Sequence, residues 1–235
     1  MEVLPTANFQ PDVVFWGLRV GEPMIALTSI LVSLFCFYAW MRLGKIDHPG
    51  DALRFFRVFF LLTGLSCLIG GIVGHAFIYR FPPELKLPGW VLSMVAVSAL
   101  EQASITRAQD FLGKKWKRAF TWLNIAELTV ALWFVFATLW FPAVEIHSAF
   151  GFLFVIAPLE GWLLFKTRSP ASRLVLTGIL LLVAAVAVHI FKISAGVWFS
   201  YFDIAHLFMC AAIGAFMLGA ERLWKGTHFL LRNRG

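Results

Sequence analysis

A carboxylate, an imidazole and a thiol follow one another late in this chain, and side chains of these types build metal sites. Asp203, His206 and Cys210 have i, i+3, i+7 spacing, so in a helix they lie on one face. Zinc takes such oxygen, nitrogen and sulfur donors, usually four in all. Asp203 is also the candidate catalytic base, or else a helix cap. The predicted zinc ligands are His75, His206, Asp203, Cys210 and His189.

A second set of polar residues lies inside apolar segments, where ionisable groups are costly and need a partner or a purpose. Its members are Glu101, Arg107, Asn124, Glu127 and Glu160. Arg107 and Glu160 are expected to form an ion pair, while Asn124 and Glu127 share one helix face. Glu101 and Glu127 would repel each other, so one of them is expected to be protonated if they are close. The set is interpreted either as polar contacts that join helices or as a proton or cation path.

The composition places these residues in a membrane. Of 235 residues, 60% are hydrophobic and only 14% are charged, with 25 Phe and 10 Trp. Apolar runs of about 20 residues recur along the whole length, as a bilayer of roughly 30 Å requires. No alternating barrel pattern is present, so we expect an all-α membrane protein with a single domain over residues 1–235. The N-terminus has no pattern typical of a cleaved signal peptide.

Seven apolar segments predict a bundle of seven transmembrane helices. Breakers separate several of them, among them His48-Pro49-Gly50 and Phe141-Pro142. The predicted helices cover about 22–41, 57–79, 88–112, 118–140, 143–165, 172–191 and 202–224.

Lysine and arginine accumulate in alternate joins and in the C-terminal tail, which sets the predicted orientation. The positive-inside rule then places the N-terminus outside and the C-terminus in the cytoplasm, in a plasma or inner membrane. The net charge of +7 follows from this pattern and does not indicate nucleic-acid binding. Residues 221–235 are predicted to be a helix end lying in the membrane interface. This orientation brings several ionisable residues near the outer end: Glu22, His75, Glu145, His147, His189, Asp203 and His206.

Small residues predict how the segments pack. Cys36, Cys67 and Cys210 lie in apolar segments without a CxxC pair, so we expect buried free thiols and no disulfide. Gly70 and Gly74 have GxxxG spacing, which favours close approach of a neighbouring helix. Space for a ligand or a lipid chain beside His75 is the alternative.

These features together resemble the CREST superfamily of seven-helix membrane proteins, which includes alkaline ceramidases, adiponectin-receptor-type proteins and myomaker-like proteins. The resemblance lies in the seven segments, in His75 late in the second, and in Asp203-x-x-His206 at the start of the seventh. It implies a zinc ion held by three histidines and, in the ceramidases, hydrolysis of a lipid amide. Here Gly71 occupies the position of a serine and Cys210 that of the second histidine. The metal would then be held by His75, His206 and Asp203 or Cys210, or the site is degenerate.

The predicted function is therefore zinc-dependent hydrolysis of a lipid amide or ester near the outer leaflet. A non-catalytic receptor, an assembly factor or a membrane-complex subunit is the alternative, and a proton-coupled transporter that uses Glu101 and Glu127 is a third. Haem held by His75 with His189 or His206 is a further possibility. A retinal protein is disfavoured, because the only lysine of the seventh segment is Lys225 at its end. The expected partners are membrane lipids and further copies of the chain or other subunits.

Overall fold

Helices make up most of this protein in the computed structural model. The structure describes residues 10–47 and 49–232, except for the side chains of residues 15 and 224–232. The helices are α1 (Pro23–Gly44), α2 (Asp51–Ile69), α3 (Leu87–Thr138), α4 (Pro142–Phe150), α5 (Ala157–Thr167), α6 (Pro170–Ile190) and α7 (Tyr201–Arg232). A π-helix, Gly70–Ala76, continues α2, and a second one, Gly151–Ile156, joins α4 to α5. A short 3₁₀-helix, Pro83–Lys86, leads into α3.

Six helical stretches are long and apolar enough to cross a bilayer, within the described part of the chain. They carry large apolar side chains on their outer surface, such as Trp122 at 64% and Trp133 at 69% exposure. Such exposure would be unfavourable in water and is expected against lipid. The chain is therefore a multi-pass integral membrane protein, as its composition predicted.

The longest of these stretches contains α3, which reverses direction at Gly113. This residue has φ 73° and ψ 161°, a conformation open almost only to glycine. The side-chain amide of Asn124 donates to the carbonyl of Ser98 at 2.9 Å, although the two are 26 residues apart. A straight helix would separate them by about 39 Å. The two halves of α3, residues 87–112 and 114–138, therefore lie side by side.

The main apolar core joins α1, α2, α3, α6 and α7. Phe56, Phe60 and Phe216 are fully buried in it, and Phe59 packs edge-on against Phe216 with 5.7 Å between ring centroids. A Cβ added at Gly178 would lie 2.7 Å from Cδ1 of Phe216. Glycine at this position therefore lets the aromatic ring reach the backbone of α6.

Close packing of α2 on α1 uses different glycines from the predicted pair. A Cβ at Gly64 would lie 3.0 Å from the Phe37 ring, and one at Gly71 would lie 3.1 Å from the carbonyl of Ala26. A Cβ at Gly70 would come no closer than 3.9 Å to any atom outside its own helix, and Gly74 has open space. The close approach was correctly expected, but it uses Gly64 and Gly71, which are seven residues, about two helical turns, apart.

A β-hairpin precedes α1, and the sequence analysis did not predict it. Its two antiparallel strands are β1 (Val13–Phe15) and β2 (Leu18–Val20). Trp16 and Gly17 form the turn and both have positive φ, as two-residue hairpin turns require. The hairpin is fixed to the turn that follows the π-helix Gly70–Ala76, where the hydroxyl of Tyr79 donates to the carbonyl of Arg19 at 2.6 Å. Gly17 is a typical residue for such a turn, but Trp16 at positive φ is not, so the turn sequence gives little indication of the hairpin.

The predicted helix positions agree with the observed ones to within a few residues at most ends. The second helix begins earlier than predicted, at Asp51, and the predicted join after residue 112 is the reversal at Gly113. The last helix extends to Arg232, so residues 221–232 are helical as predicted, while the side chains from 224 onward lie outside the described part. His48, predicted in a join, also lies outside the described residues.

We expect Gly113→Ala to lower the free energy of unfolding by about 1–3 kcal/mol, because alanine is strained at this φ and ψ. Gly161→Ala is the matched control, since Gly161 is helical and a Cβ there meets nothing within 4 Å. Thermal unfolding in detergent compares the two variants. Equal melting temperatures would contradict the role of Gly113 in the reversal.

Candidate functional site

Asp203 is a fully buried carboxylate, and its hydrogen-bond partners come from three separate parts of the chain. Its Oδ2 accepts from the backbone N–H and the hydroxyl of Ser200, both at 2.7 Å, and from the side-chain amide of Gln10 at 2.8 Å. The hydroxyl of Thr28 lies 3.1 Å from Oδ1. The bond from the backbone N–H of Ser200 to the carboxylate of Asp203 is one half of a capping box at the start of α7. Asp203 therefore caps the helix, and its role as a catalytic base stays a prediction.

Gln10 completes this arrangement from the N-terminal side. It is 2% exposed, and its carbonyl oxygen accepts from the backbone N–H groups of Met24 and Ile25 at 2.9 and 3.2 Å. These N–H groups belong to the first turn of α1, where they have no partner inside the helix. One amide side chain therefore caps α1 and donates to Asp203 of α7. Sequence reasoning missed Gln10, because nothing in its neighbourhood marks it as buried.

His206 lies one helical turn after Asp203 and contacts the same residue of α1, Thr28. Its Nδ1 is 2.8 Å from the hydroxyl of Thr28, which also lies next to Asp203. We name the Asp203 cluster by its five members: Gln10, Thr28, Ser200, Asp203 and His206. Thr28 and Ser200 were not predicted, although the Ser200-x-x-Asp203 spacing was a detectable signal.

His75 and His189 flank one aromatic ring beside this cluster. Their ring centroids lie 6.0 and 5.0 Å from that of Phe202. The Nδ1 of His75 lies 2.7 Å from Oε2 of Glu22, which is 2% exposed and has a left-handed backbone at φ 40°. The structure therefore brings the predicted residues His75, His189, Asp203 and His206 to the same end of the bundle.

The donor set fits a zinc ion poorly. Within the described residues, no group of three or more His, Cys, Asp and Glu side chains is arranged to hold a metal ion. Both oxygens of Asp203 already accept hydrogen bonds, and Cys210 is 8% exposed in the apolar core. Gly71, at the serine position of the resemblance, approaches the α1 backbone too closely for a side chain to be added without a shift. Zinc ligation by His75, His206, Asp203, Cys210 and His189 stays a prediction.

The second polar site follows the inward face of the first half of α3. Ser98, Glu101, Ser104 and Arg107 recur every three residues and so form one stripe along the helix. Ser104 and Arg107 share Glu160 as a partner, whereas Ser98 contacts Asn124 and Glu101 lies beside Gly151. The contacts of these four side chains determine which chemistry is possible in the interior of the bundle.

At one end of the stripe, Arg107 and Glu160 form a buried ion pair, as predicted. Their side chains are 7% and 0% exposed. The hydroxyl of Ser104 donates to Oε1 of Glu160 at 2.8 Å, and Nη2 of Arg107 donates to the hydroxyl of Ser172 at 2.9 Å. The pair therefore joins α3, α5 and α6.

At the other end, Ser98 and Asn124 join the two halves of α3 through two hydrogen bonds. Gln102 adds a third, donating to the hydroxyl of Thr121 at 3.2 Å. Asn124 meets Ser98, nine residues before Arg107 in the stripe, because the reversal at Gly113 fixes the register of the two halves.

His147 lies at this second site, and its hydrogen bonds are to Glu127 and Met94. It is 1% exposed, and its Nδ1 is 2.9 and 2.7 Å from the two carboxylate oxygens of Glu127. Its Nε2 donates to the carbonyl of Met94 at 3.0 Å, since a carbonyl can only accept. The remaining proton is held between Nδ1 and Glu127, so the pair is neutral overall whichever atom carries it.

Glu101 is fully buried next to this pair, and neither of its oxygens has a hydrogen-bond partner among the described residues. It interacts electrostatically with both Glu127 and His147. A charged carboxylate without donors is strongly disfavoured in such surroundings, so Glu101 is held in its neutral, protonated form. This agrees with the expectation that one of the two carboxyl groups keeps its proton. We name Glu101, Glu127 and His147 the Glu101 cluster.

The second π-helix provides the space for Glu101. A Cβ at Gly151, the first residue of that π-helix, would overlap Oε1 of Glu101 and lie 2.6 Å from Cγ1 of Val97. π-helical turns inside α-helices are frequent at functional sites. The unpartnered carboxyl and the irregular backbone therefore coincide at one point of the bundle.

The chain belongs to DUF6962, a family of unknown function whose match covers residues 24–225. The matched range contains all of the Glu101 cluster, and of the Asp203 cluster it lacks only Gln10. No curated protein and no solved structure is detectably similar to the chain.

We expect Arg107→Ala to lower the free energy of unfolding by about 3–5 kcal/mol, because it leaves the carboxylate of Glu160 buried and unpaired. The double variant Arg107→Met/Glu160→Gln is expected to recover most of this loss. Arg42→Ala is the matched control, since Arg42 pairs with Glu221 on the exposed surface and its removal should matter little. Unfolding in a denaturing detergent measures all three, and equal effects of Arg107→Ala and Arg42→Ala would contradict the buried pair.

Proposed function

We propose that this chain is a seven-span membrane protein of the proton-coupled transporter class, in which Glu101 carries the proton. The observation that supports this best is the full burial of the Glu101 carboxyl, whose oxygens have no hydrogen-bond partner among the described residues. A group that served only to join helices would have its oxygens satisfied, as those of Glu160 are.

The proposed topology rests on the reversal of α3. Counting its two halves separately gives seven spans, and the basic residues of the joins after α1, at Gly113 and after α5 then lie on one side together with the C-terminus. The positive-inside rule makes that side the cytoplasm and places the N-terminus outside. A plasma or inner membrane is the proposed location.

The proton chemistry follows from the neighbours of Glu101. Loss of its proton would leave a carboxylate beside His147, whose imidazolium form could compensate the charge. The shared proton of the His147–Glu127 pair gives the cluster a second exchangeable site. Glu101 can thus pass its proton to the His147–Glu127 pair, which then holds two protons and a positive charge that balances the carboxylate of Glu101.

Polar groups continue on both sides of the cluster. Towards the proposed cytoplasmic side, Ser104 follows Glu101 by one helical turn and bonds to Glu160, which pairs with Arg107. Towards the other side, His147 lies only five residues after Pro142, the start of α4. Such a sequence of hydroxyl, carboxylate and imidazole groups favours a proton path over an isolated buried acid.

Proton movement is testable in proteoliposomes that contain a trapped pH-sensitive dye and are subjected to a potassium diffusion potential. We expect the unmodified protein to change the internal pH, and Glu101→Gln and Glu127→Gln to abolish that change. Glu145→Gln, which alters an exposed carboxyl in the first turn of α4, should leave it intact. A pH change that persists in Glu101→Gln would refute the role of Glu101.

The second candidate is zinc-dependent hydrolysis of a lipid near the outer leaflet, as the resemblance to the CREST superfamily implies. Contact of Glu22 with Nδ1 of His75 favours it, because carboxylates commonly orient metal-binding histidines in this way. The observed arrangement of donors favours it less than the proton proposal. A further candidate is a non-catalytic receptor, assembly factor or complex subunit, which would have the same helix bundle but no hydrolytic activity.

Elemental analysis of protein purified without chelator separates this second candidate from the first. Zinc ligation predicts about one zinc per chain, lost in His75→Ala and in His206→Ala but retained in His147→Ala. Absence of zinc from the unmodified protein, or its retention in both ligand variants, would exclude the site. Proton movement is expected to be independent of the result.

A further inference from the structure

The reversal of α3 exposes a group of positive charges that have no counterpart in the described chain. Lys114, Lys115 and Arg118 line a recess together with Trp122. None of the three cations forms a hydrogen bond or an ion pair with a described residue. Lys117, between them, differs because its ammonium donates to the side-chain carbonyl of Gln109 at 2.5 Å.

The surroundings of the recess place it at a membrane surface. It lies at the turn between the two halves of α3, and the second half is the most exposed helix of the bundle, with apolar side chains outward. Trp116 and Trp122 are each 64% exposed there, and tryptophan is typical of the boundary between lipid and water. The cations therefore lie at the level of lipid head groups.

We propose that this recess binds the phosphate head group of an anionic phospholipid. Three unpaired cations around one concave surface match a phosphate with its several acceptor oxygens. The exposed indole of Trp122 offers an apolar surface beside the head group for the start of an acyl chain. The occupant is a lipid of the cytoplasmic leaflet under the proposed topology, and the site does not depend on the role of Glu101.

The test compares lipid retention by native mass spectrometry of the full chain with phosphatidylglycerol or phosphatidylcholine added. We expect the unmodified protein to retain phosphatidylglycerol preferentially, and Lys114→Gln/Lys115→Gln/Arg118→Gln to weaken that binding by roughly two orders of magnitude. The matched control removes three cations from the join of α5 and α6, as Lys166→Gln/Arg168→Gln/Arg173→Gln, and should retain the preference.

Three results would overturn the proposal. The unmodified protein could show no preference for phosphatidylglycerol, or both triple variants could lose it equally, which would indicate general attraction to positive charge. Displacement of the lipid by millimolar inorganic phosphate would indicate a site for free phosphate instead. Lys114→Arg/Lys115→Arg, which keeps the charges, should bind like the unmodified protein, and equal melting temperatures of all variants show that each is folded.

Discussion

The cost of burying a polar group away from water is the constraint on which the rest of this structure depends. Within a bilayer, carboxylates, imidazoles and hydroxyls must find their partners inside the protein. Asp203 and Glu160 meet this requirement with several donors each, and these donors include residues from other helices or from distant parts of the chain. The buried acids therefore determine which helices become neighbours as much as the apolar core does.

The two polar clusters join different halves of the bundle. Asp203 connects the N-terminal segment, α1 and α7 at one end, and Gln10 caps α1 in the same contact. The stripe on α3 connects that helix to its own second half, to α4, α5 and α6. The apolar core around Phe216 lies between α1, α2, α3, α6 and α7. Buried polar contacts and apolar packing therefore join the helices at different places in the bundle.

Glu101 is a buried carboxyl whose two oxygens lack hydrogen-bond partners among the described residues, and this gives it functional interest. A protein can hold an unpartnered carboxyl in an apolar interior only in its neutral form, so the group is sensitive to any change that brings a donor or a charge near it. The π-helix that begins at Gly151 leaves just enough space for this side chain. Rearrangement of that irregular turn would alter the surroundings of Glu101 directly, whereas a regular helix would resist it.

Composition and periodicity alone determined the membrane class, the helices and most of their ends, because lipid demands long apolar segments whatever their packing. Spacing and charge also predicted the Arg107–Glu160 pair. The tertiary structure alone decided that His147 pairs with Glu127, that Asp203 is saturated with donors, and that Gln10 is buried. These outcomes depend on helix rotation and register, which the reversal at Gly113 and close contacts such as that at Gly71 fix through space. Sequence spacing along single helices does not contain that information.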